Sequence, residues 1–284
     1  MYSAIEEDDG KVFSARLIYS ERITPASSPE DVKHLVFSVD DPSFQCRAGQ
    51  CIRVLAPGQA GNPYHARLYS IVDFAQNRGR GSEFTLCVRR CTAVDEGDDT
   101  KHEGLASSYL CNLRPGGTIE FSGPCGYPFP IPENRRSGIL MLGMGTGIAP
   151  FVFLIKQIYE TLGGWEGKVR LFYGARSPLE FLYMNNTNSE LAKYYDEETF
   201  RAFRAMSPGP SPDEPSGLYE AIKQHRAEVW EMLDEPDTHV YIAGAAETLE
   251  LTEKALEETA GSREAWSETK NRLVSSGQWI ESVY

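Results

Sequence analysis

The chain has 284 residues, a length that suits two ordinary domains better than one. Its formal net charge of -13 disfavours nucleic acid and anionic membranes as partners, because both would repel it. No apolar run approaches the roughly 20 residues that a membrane-spanning helix needs, and the acidic start MYSAIEEDDG lacks the features of a secretory signal.

The cysteines predict thiols in a reducing compartment. No C-x-x-C pair occurs, which disfavours an iron–sulfur or zinc site, and we expect no metal. We therefore expect a cytoplasmic protein, with an organellar stroma as the alternative if a transit peptide has been removed. The six cysteines all lie in the first half of the chain: Cys46, Cys51, Cys87, Cys91, Cys111 and Cys125.

The first 135 residues carry six short runs of β-branched and aromatic residues, separated by turn residues. This pattern predicts a small antiparallel barrel or sandwich. The charged stretch AVDEGDDTKHEG between the fifth and sixth runs is predicted to be a loop, and ASSYLCNL a short helical turn. The six runs are VFSARLIYS, HLVFSVD, QCIRVLAPG, ARLYSIVDF, EFTLCVRRC and GTIEFSG.

The proline-rich stretch PFPIPENRRSG is predicted to be a linker, and the pattern of predicted elements changes after it. We therefore expect one domain over residues 1–135 and a second over residues 136–284. In the second domain strands alternate with helices, which predicts a five-stranded parallel sheet covered by helices. Its strands are GILMLG, KVRLFYG, TFRAFRAMS, THVYIAG and the terminal WIESVY; its helices are APFVFLIKQIYETLG, a stretch near SELAKYY, SGLYEAIKQHRAEVWEML, ETLELTEKALEETA and REAWSETKNRLVSSG.

A glycine-rich turn follows the apolar strand at 139–142, with the sequence GMGTGIAPF. Glycines permit a tight turn and a close approach of phosphate to backbone N–H groups, while Pro150 suits the first turn of a helix. The G-x-G-x-G spacing is not the full dinucleotide fingerprint, and glycines that only close a turn are the alternative. Gly174, followed by Arg176, and Gly244 end two further strands. The carboxyl ends of parallel strands share one edge, so this set favours a nucleotide site.

The stretch RLYS in the β-rich half is a second candidate. On a strand, Arg67 and Tyr69 share one face, and Leu68 and Ser70 share the other. The guanidinium of Arg67 could grip a phosphate with two N–H donors, and Tyr69 offers a flat ring. An ordinary half-exposed strand remains the alternative on these four residues alone.

The sequence resembles the plant-type ferredoxin–NADP reductases over almost its whole length. The matching stretches are DVKHLVFSVD, RLYS, LCVRR, GLASSYL, LRPGG, FSGPCG, LGMGTGIAPF, HVYIAG and the final VY. The resemblance implies a six-stranded antiparallel Greek-key barrel that binds FAD, followed by an α/β domain that binds NADP(H). It implies an enzyme that passes a hydride between NADP(H) and flavin N5, and single electrons to or from a ferredoxin or flavodoxin.

Motif positions assign the FAD residues. Arg67 would meet the pyrophosphate, Tyr69 the isoalloxazine, and Ser70 would lie near flavin N5. In this family the final tyrosine, here Tyr284, stacks on the flavin face that nicotinamide must reach, so Ser70 and Tyr284 are the catalytic candidates. The full FAD set is Arg67, Leu68, Tyr69, Ser70, Cys87, Val88, Arg89, Gly104, Leu105, Ala106, Ser107 and Tyr284.

The same resemblance assigns the NADP(H) residues. Gly145, Thr146 and Gly147 would receive the nicotinamide nucleotide. Tyr219 would stack on adenine. The full set is Gly145, Thr146, Gly147, Gly174, Arg176, Ser207, Tyr219 and Gly244.

Four positions depart from the family. Ala243 replaces a cysteine beside the nicotinamide, and Ser282 replaces a glutamate near the end of the chain. Pro208 replaces an arginine of the 2′-phosphate site, for which Lys223 or Arg226 could substitute. Ala93 replaces a tyrosine that stacks on the FAD adenine. We expect an altered rate from the first two departures, and not a dead enzyme.

Two other functions stay open on the sequence. One is the NAD(P)H reductase component of a multicomponent oxygenase, which uses the same chemistry with another acceptor. The other is a nucleotide-binding module that has lost most of its turnover. The acidic net charge leaves the carrier protein open, since family members meet acidic ferredoxins with a basic face.

Overall fold

The computed structural model describes residues 11–59, 61–76, 81–94, 101–196, 198–206 and 217–283. The chain divides into two compact units, Met1–Pro128 and Phe129–Tyr284, and the division falls within the proline-rich stretch. We describe each unit by itself.

The first unit is a closed antiparallel barrel of six strands, in the order β1-β2-β5-β4-β3-β8. The order β2-β5-β4-β3 is that of a Greek key. The prediction of a six-stranded antiparallel barrel is thus confirmed. The strands of this unit are β1 (Val12–Arg22), β2 (Val32–Val39), β3 (Cys51–Pro57), β4 (Tyr64–Gln76), β5 (Ser82–Arg89), β6 (Thr92–Val94), β7 (Lys101–Glu103) and β8 (Thr118–Cys125).

Phenylalanine rings fill the barrel interior. In β1, buried residues alternate with exposed ones, as a strand with one face on a core requires. Phe44 lies against Phe84 and Phe121, with ring centroids 5.6 and 5.1 Å away. Each fully buried ring contributes about 1.5–3 kcal/mol to folding.

The charged stretch at 93–104 differs from its predicted loop structure. Its two ends pair as the short antiparallel strands β6 and β7. Backbone hydrogen bonds between such strands need no apolar core, so charge in the sequence does not exclude them. The chain then enters helix α1 (Leu105–Asn112), which packs against β3, β4 and β5.

The second unit contains a five-stranded sheet in which every pairing is parallel, as predicted. The strand order is β11-β10-β9-β12-β13, so the chain turns from one side of β9 to the other. In such sheets ligands bind beyond the carboxyl ends of the strands where the order reverses, here β9 and β12. The strands are β9 (Ile139–Met144), β10 (Val169–Ala175), β11 (Phe200–Met206), β12 (His239–Gly244) and β13 (Trp279–Val283).

Three predicted helices differ in detail. The helix predicted over 216–233 divides at His225, which has φ -102° and ψ 21° and whose ring lies 4.3 Å from that of Phe203. The helix predicted over 149–163 ends as a π-helix over 157–161, and 190–194 is a 3-10 turn. The helices are α2 (Ala149–Lys156), α3 (Gly217–Gln224), α4 (Arg226–Asp234), α5 (Ala246–Thr259) and α6 (Arg263–Ser275). Within the described ranges, no helix has the length and apolar character to cross a membrane.

Candidate functional site

The carboxyl edge of the parallel sheet carries the glycine-rich turn. Strand β9 ends at Met144, and Gly145–Ile148 form a 3-10 turn that leads into α2. Gly145 has φ 55°, in the left-handed region, and its Cβ position is open. A Cβ at Gly147 would lie only 2.2 Å from the carbonyl oxygen of Ala243 on β12. Only glycine therefore fits here, and the turn packs directly against the neighbouring strand.

A buried tyrosine that the sequence analysis did not single out holds this turn. The side chain of Tyr173 on β10 is fully buried. Its hydroxyl donates to the carbonyl oxygen of Gly145 at 2.8 Å and accepts from the backbone N–H of Leu182 at 3.3 Å. The position of the glycine turn thus depends on a side chain from the adjacent strand.

The other predicted glycines lie along the same edge. Gly174 is the register partner of Met144, and a Cβ at Gly174 would come within 2.9 Å of that side chain. Gly244 ends β12 with φ 145°. Arg176, two residues after Gly174, is exposed and has no acidic partner among the described residues. The structure therefore brings together the strand-end glycines that the sequence placed at one edge.

The electrostatics of the turn suit an anion. Helix α2 has no acidic residue in its first turn and carries Pro150 there. The N–H groups at a helix start lack intrahelical acceptors and carry partial positive charge. Together with the space above Gly145, this geometry fits the pyrophosphate of a dinucleotide.

A tyrosine with two lysines lies where α3 packs against α5. Tyr219 is 8% exposed, and the ammonium groups of Lys223 and Lys254 lie 4.7 and 5.4 Å from its ring centroid. The Tyr219 hydroxyl donates to Glu258, and Lys223 Nζ lies 3.0 Å from the same carboxylate. These hydrogen bonds lower the pKa of Glu258 below its usual value and raise that of Lys223. The cluster holds two positive charges and one negative charge beside the ring.

Two of the positions at which the chain differs from the family lie next to each other, on β12 and β13. Ala243 on β12 and Ser282 on β13 are register partners, and Ala243 also pairs with Gly143 on β9. Glu281 lies on the other face of β13, where its carboxylate accepts from the Trp279 indole at 2.6 Å. It therefore does not replace the family glutamate at position 282.

Three positions from the sequence analysis lie outside the described residues. They are Ser207, Pro208 and Tyr284.

In the first unit, RLYS lies on β4 and pairs with β3. Ser70 is opposite Cys51, Tyr69 is opposite Ile52, and Arg67 is opposite Val54. Burial is the main cause that raises the pKa of Tyr69 above its usual value, so its hydroxyl stays protonated. Arg67 is exposed, and among the described residues the one hydrogen bond of its guanidinium is to the adjacent carbonyl of Ala66, at 2.9 Å. Its guanidinium therefore has donors to spare for a phosphate.

Helix α1 begins beside this strand. Gly104 precedes it, and a Cβ there would lie 2.9 Å from the Ser107 hydroxyl. That hydroxyl accepts from the backbone N–H of Cys91 at 3.1 Å and donates to the carbonyl of Gly104 at 3.1 Å. Ser107 is 5% exposed, so its side chain secures the helix start. The backbone N–H groups of the first turn are left for an anion.

The end of β5 carries three residues of the predicted FAD set. Cys87 and Val88 are buried, whereas Arg89 is exposed and lies 3.8 Å from Glu30. Cys87 and Val88 can thus contribute only backbone groups to a ligand. Leu68, on β4, and Leu105, the first residue of α1, are half-buried, and Ala106 is buried. Ala93 lies on β6.

Comparison with known families assigns a nucleotide cofactor to each half of the chain. An oxidoreductase FAD-binding domain matches residues 22–128, and an oxidoreductase NAD-binding domain matches residues 141–254. The predictions of an oxidoreductase with FAD and NADP(H) as cofactors are therefore confirmed.

Individual relatives agree with the domain assignment. The chain is 31% identical to the chloroplastic leaf isozyme 1 of ferredoxin–NADP reductase from Oryza sativa subsp. indica, over 96% of this chain and 76% of the rice protein. It is 31% identical to the chloroplastic enzyme of Spinacia oleracea, over 96% and 75%. The solved ferredoxin–NADP+ reductase of Plasmodium falciparum has the same fold, with a TM-score of 0.72, 18% identity and 96% coverage of each chain. A further structure of that protein, with 2′P-AMP, has a TM-score of 0.68, 18% identity and coverage of 87% and 93%. The resemblance seen in the sequence is confirmed, and the chain belongs to the ferredoxin–NADP reductase family.

Proposed function

We propose that this protein transfers electrons between NADP(H) and a one-electron carrier protein, a ferredoxin or a flavodoxin. The observation that carries the proposal is the contact of Gly147 with the Ala243 carbonyl at the strand-order reversal, in a chain from this family. A side chain cannot occupy that space, so glycine lets the turn pack directly on β12, at the edge of the sheet where such folds bind ligands. The glycine turn would there form a cradle for the nucleotide.

The residues of the barrel unit fit FAD. Arg67 has N–H donors for the pyrophosphate, and the start of α1 offers backbone N–H groups without a competing acidic side chain. Tyr69 would lie along the isoalloxazine, and Ser70 would hydrogen-bond near N5. When bound, FAD supplies the chemistry, because N5 exchanges a hydride with nicotinamide and the two electrons pass singly to or from the carrier.

The residues of the sheet unit fit NADP(H). The turn at Gly145, Thr146 and Gly147 would hold the pyrophosphate over the start of α2. Gly174 and Gly244 would flank the nucleotide near the carboxyl ends of β10 and β12. Arg176 would contribute a positive charge from the end of β10.

We propose that Lys223 and Lys254 take the place of the family arginine replaced by Pro208. Both ammonium groups lie over the ring of Tyr219, the residue assigned to adenine. A 2′-phosphate on the adenosine would gain two charge-assisted partners there, against one repulsive carboxylate. We therefore propose a preference for NADPH over NADH. The 2′P-AMP bound by the Plasmodium falciparum protein carries the same phosphate.

The roles of Ala243, Ser282 and Tyr284 in turnover remain proposals. Ala243 and Ser282 are register partners on β12 and β13. The cysteine and the glutamate that the family carries at these positions are therefore both absent from the same part of the sheet. We propose a slower reaction, and not loss of function. Tyr284 would cover the isoalloxazine until nicotinamide displaces it.

The carrier and the compartment are also proposed. Arg90 pairs with Asp31 at 2.9 Å, so its charge is partly neutralised and attracts an acidic partner less. We propose that long-range electrostatic attraction contributes little to the complex with ferredoxin or flavodoxin. We place the reaction in the cytoplasm or an organellar stroma.

The test is spectroscopic. Purified protein loaded with FAD is mixed anaerobically with NADPH, and we expect the visible flavin absorbance to bleach. Addition of oxidised ferredoxin or flavodoxin should then restore it. A protein that takes up FAD but is not bleached by NADPH or NADH would refute the proposed function. Recovery only with an oxygenase component would replace the proposed carrier.

A further inference from the structure

Two cysteines face each other at the edge of the barrel. Cys51 is the first residue of β3, and Cys125 is the last residue of β8. They are register partners in the antiparallel β3–β8 ladder. Among the described residues, no other two cysteines are partners in a β-ladder.

The thiols are already in contact. Cys51 Sγ donates to the backbone carbonyl of Cys125 at 3.5 Å. The side chain of Cys125 also hydrogen-bonds to the Cys51 thiol, and this bond together with burial raises the pKa of Cys51 above its usual value. Both residues are half-buried, so small reagents can reach them.

The backbone spacing suits a disulfide. Opposite residues of an antiparallel pair have Cα atoms about 4.5 or 5.5 Å apart, and disulfides span Cα separations of about 4.4–6.8 Å. Glycines leave space around the sulfurs. A Cβ at Gly123 would lie 3.4 Å from Cys125 Sγ, and one at Gly126 would lie 3.9 Å from Cys51 Sγ.

We propose that Cys51 and Cys125 are a redox-active dithiol that closes reversibly to a disulfide between β3 and β8. The oxidant is a small-molecule disulfide of the glutathione class. One cysteine loses its proton and attacks the reagent, which releases one thiol and leaves a mixed disulfide. The second cysteine then displaces the other thiol. Both cysteine sulfurs are oxidised, and one reagent disulfide becomes two thiols.

The pair adjoins the residue assigned to flavin N5. Cys51 has Ser70 as its register partner on β4 and Cys125 as its partner on β8. Directly opposite side chains lie on the same face of a sheet, so Cys51 has Ser70 on one side and Cys125 on the other. This relation to flavin depends on the proposed function, whereas the disulfide does not.

The test counts thiols without FAD or nucleotide. The protein is equilibrated with oxidised glutathione and quenched with N-ethylmaleimide, and its peptides are mapped by mass spectrometry. We expect a Cys51–Cys125 linked peptide, and four alkylated cysteines in place of the six present in the reduced chain. Dithiothreitol should restore all six. The disulfide should raise the melting temperature of the barrel transition by on the order of 5–15 °C.

Variants identify the pair. Cys51→Ser and Cys125→Ala should each abolish the linked peptide and the thermal shift. Cys91→Ser, a matched change at an exposed cysteine outside the pair, should retain both. Because only thiolates attack disulfides, closure should accelerate with rising pH. The proposal is overturned if the wild-type protein retains six alkylated thiols, or if the linked peptide joins any other two cysteines.

Discussion

Gly147 and Ala243 touch across the carboxyl edge of the sheet, so closely that a Cβ on Gly147 would lie 2.2 Å from the carbonyl oxygen of Ala243. The clash would be with backbone, which cannot rotate away as a side chain can. The contact joins the glycine turn to β12 and sets the shape of the proposed nucleotide cradle.

Gly147→Ala should therefore weaken NADPH binding while FAD content is retained. Overpacking of about 1–3 kcal/mol would displace the turn, and we expect the KM for NADPH to rise roughly tenfold or more. Steady-state kinetics and flavin content would be measured. Gly167→Ala is the control, because a Cβ there would meet the carbonyl oxygen of Ser137 at 2.3 Å, a similar clash with backbone just before β10 and away from the glycine turn. An unchanged KM in Gly147→Ala would contradict the assignment of the cradle.

Tyr173→Phe should weaken the attachment of the glycine-rich turn to β10. The change removes the hydroxyl that donates to the half-buried carbonyl of Gly145 at 2.8 Å. We expect a stability loss of about 0.5–1.5 kcal/mol, with a higher KM for NADPH.

Tyr241→Phe is the matched control for that experiment. Tyr241 is another buried tyrosine, but its hydroxyl donates to the carbonyl of Pro130, away from the glycine turn. Urea unfolding should show a comparable loss of stability, with no change in KM. Equal KM values for the two variants would mean that Tyr173 only stabilises the fold.

Lys254→Gln should reduce the preference for NADPH over NADH. Its ammonium group lies 5.4 Å from the Tyr219 ring centroid, and exposed charge pairs contribute about 0.2–1 kcal/mol. We expect the ratio of kcat/KM values to fall roughly two- to fivefold, with NADH kinetics unaffected. Lys168→Gln makes the same change of charge at the other end of the sheet, where Lys168 pairs with Glu231 at 2.6 Å, and serves as the control. If kcat/KM falls equally for NADPH and NADH, Lys254 is not part of the 2′-phosphate site.

Ser282→Glu should accelerate turnover, most of all in combination with Ala243→Cys. These changes restore the family side chains at two positions that are register partners. We expect an increase in kcat of roughly tenfold, equivalent to about 1.4 kcal/mol of barrier. Ser282→Gln introduces a side chain of the same size that cannot exchange a proton, and it should raise kcat less than Ser282→Glu does. If turnover stays at the wild-type value in the double variant, the two departures are neutral for rate.

Stability should depend on His239 in mildly acidic solution. Its Nδ1 atom is buried without a hydrogen-bond partner among the described residues, and burial lowers the pKa of His239 below its usual 6.5. The unfolded chain then binds a proton more readily than the folded one. Folding is favoured fully above pH 6.5 and loses stability as pH falls towards the folded pKa. The free energy of unfolding, measured with urea across this pH range, should fall less in His239→Gln than in the wild-type protein. If it falls equally in both proteins, His239 is not the cause.

The strands and their two architectures were predictable from local pattern. Alternation of apolar residues in β1 and the regular turn residues between strands predict an antiparallel barrel. The alternation of strands and helices predicts the parallel sheet. Its connectivity then places Gly145, Gly174 and Gly244 at a common edge, because all carboxyl ends of parallel strands point the same way.

Other features arise from contacts that local pattern does not contain. A predicted helix divides at His225, and the ring of this residue packs on Phe203 of another element. Tyr173 reaches a carbonyl 28 residues away, and Tyr219 reaches Glu258 across 39 residues. No spacing rule within a single strand or helix identifies such partners.

The sequence by itself determined the fold class, the family and the stretches of chain that would meet each nucleotide, because these depend on periodicity and on short motifs. Only the tertiary structure decided which groups those stretches present. It turned the Ser107 hydroxyl inward, set Lys254 beside Tyr219, and placed Cys51 against Cys125 across 74 residues. The physical reason is that such pairs are chosen by strand register and helix packing, which are properties of the whole folded chain.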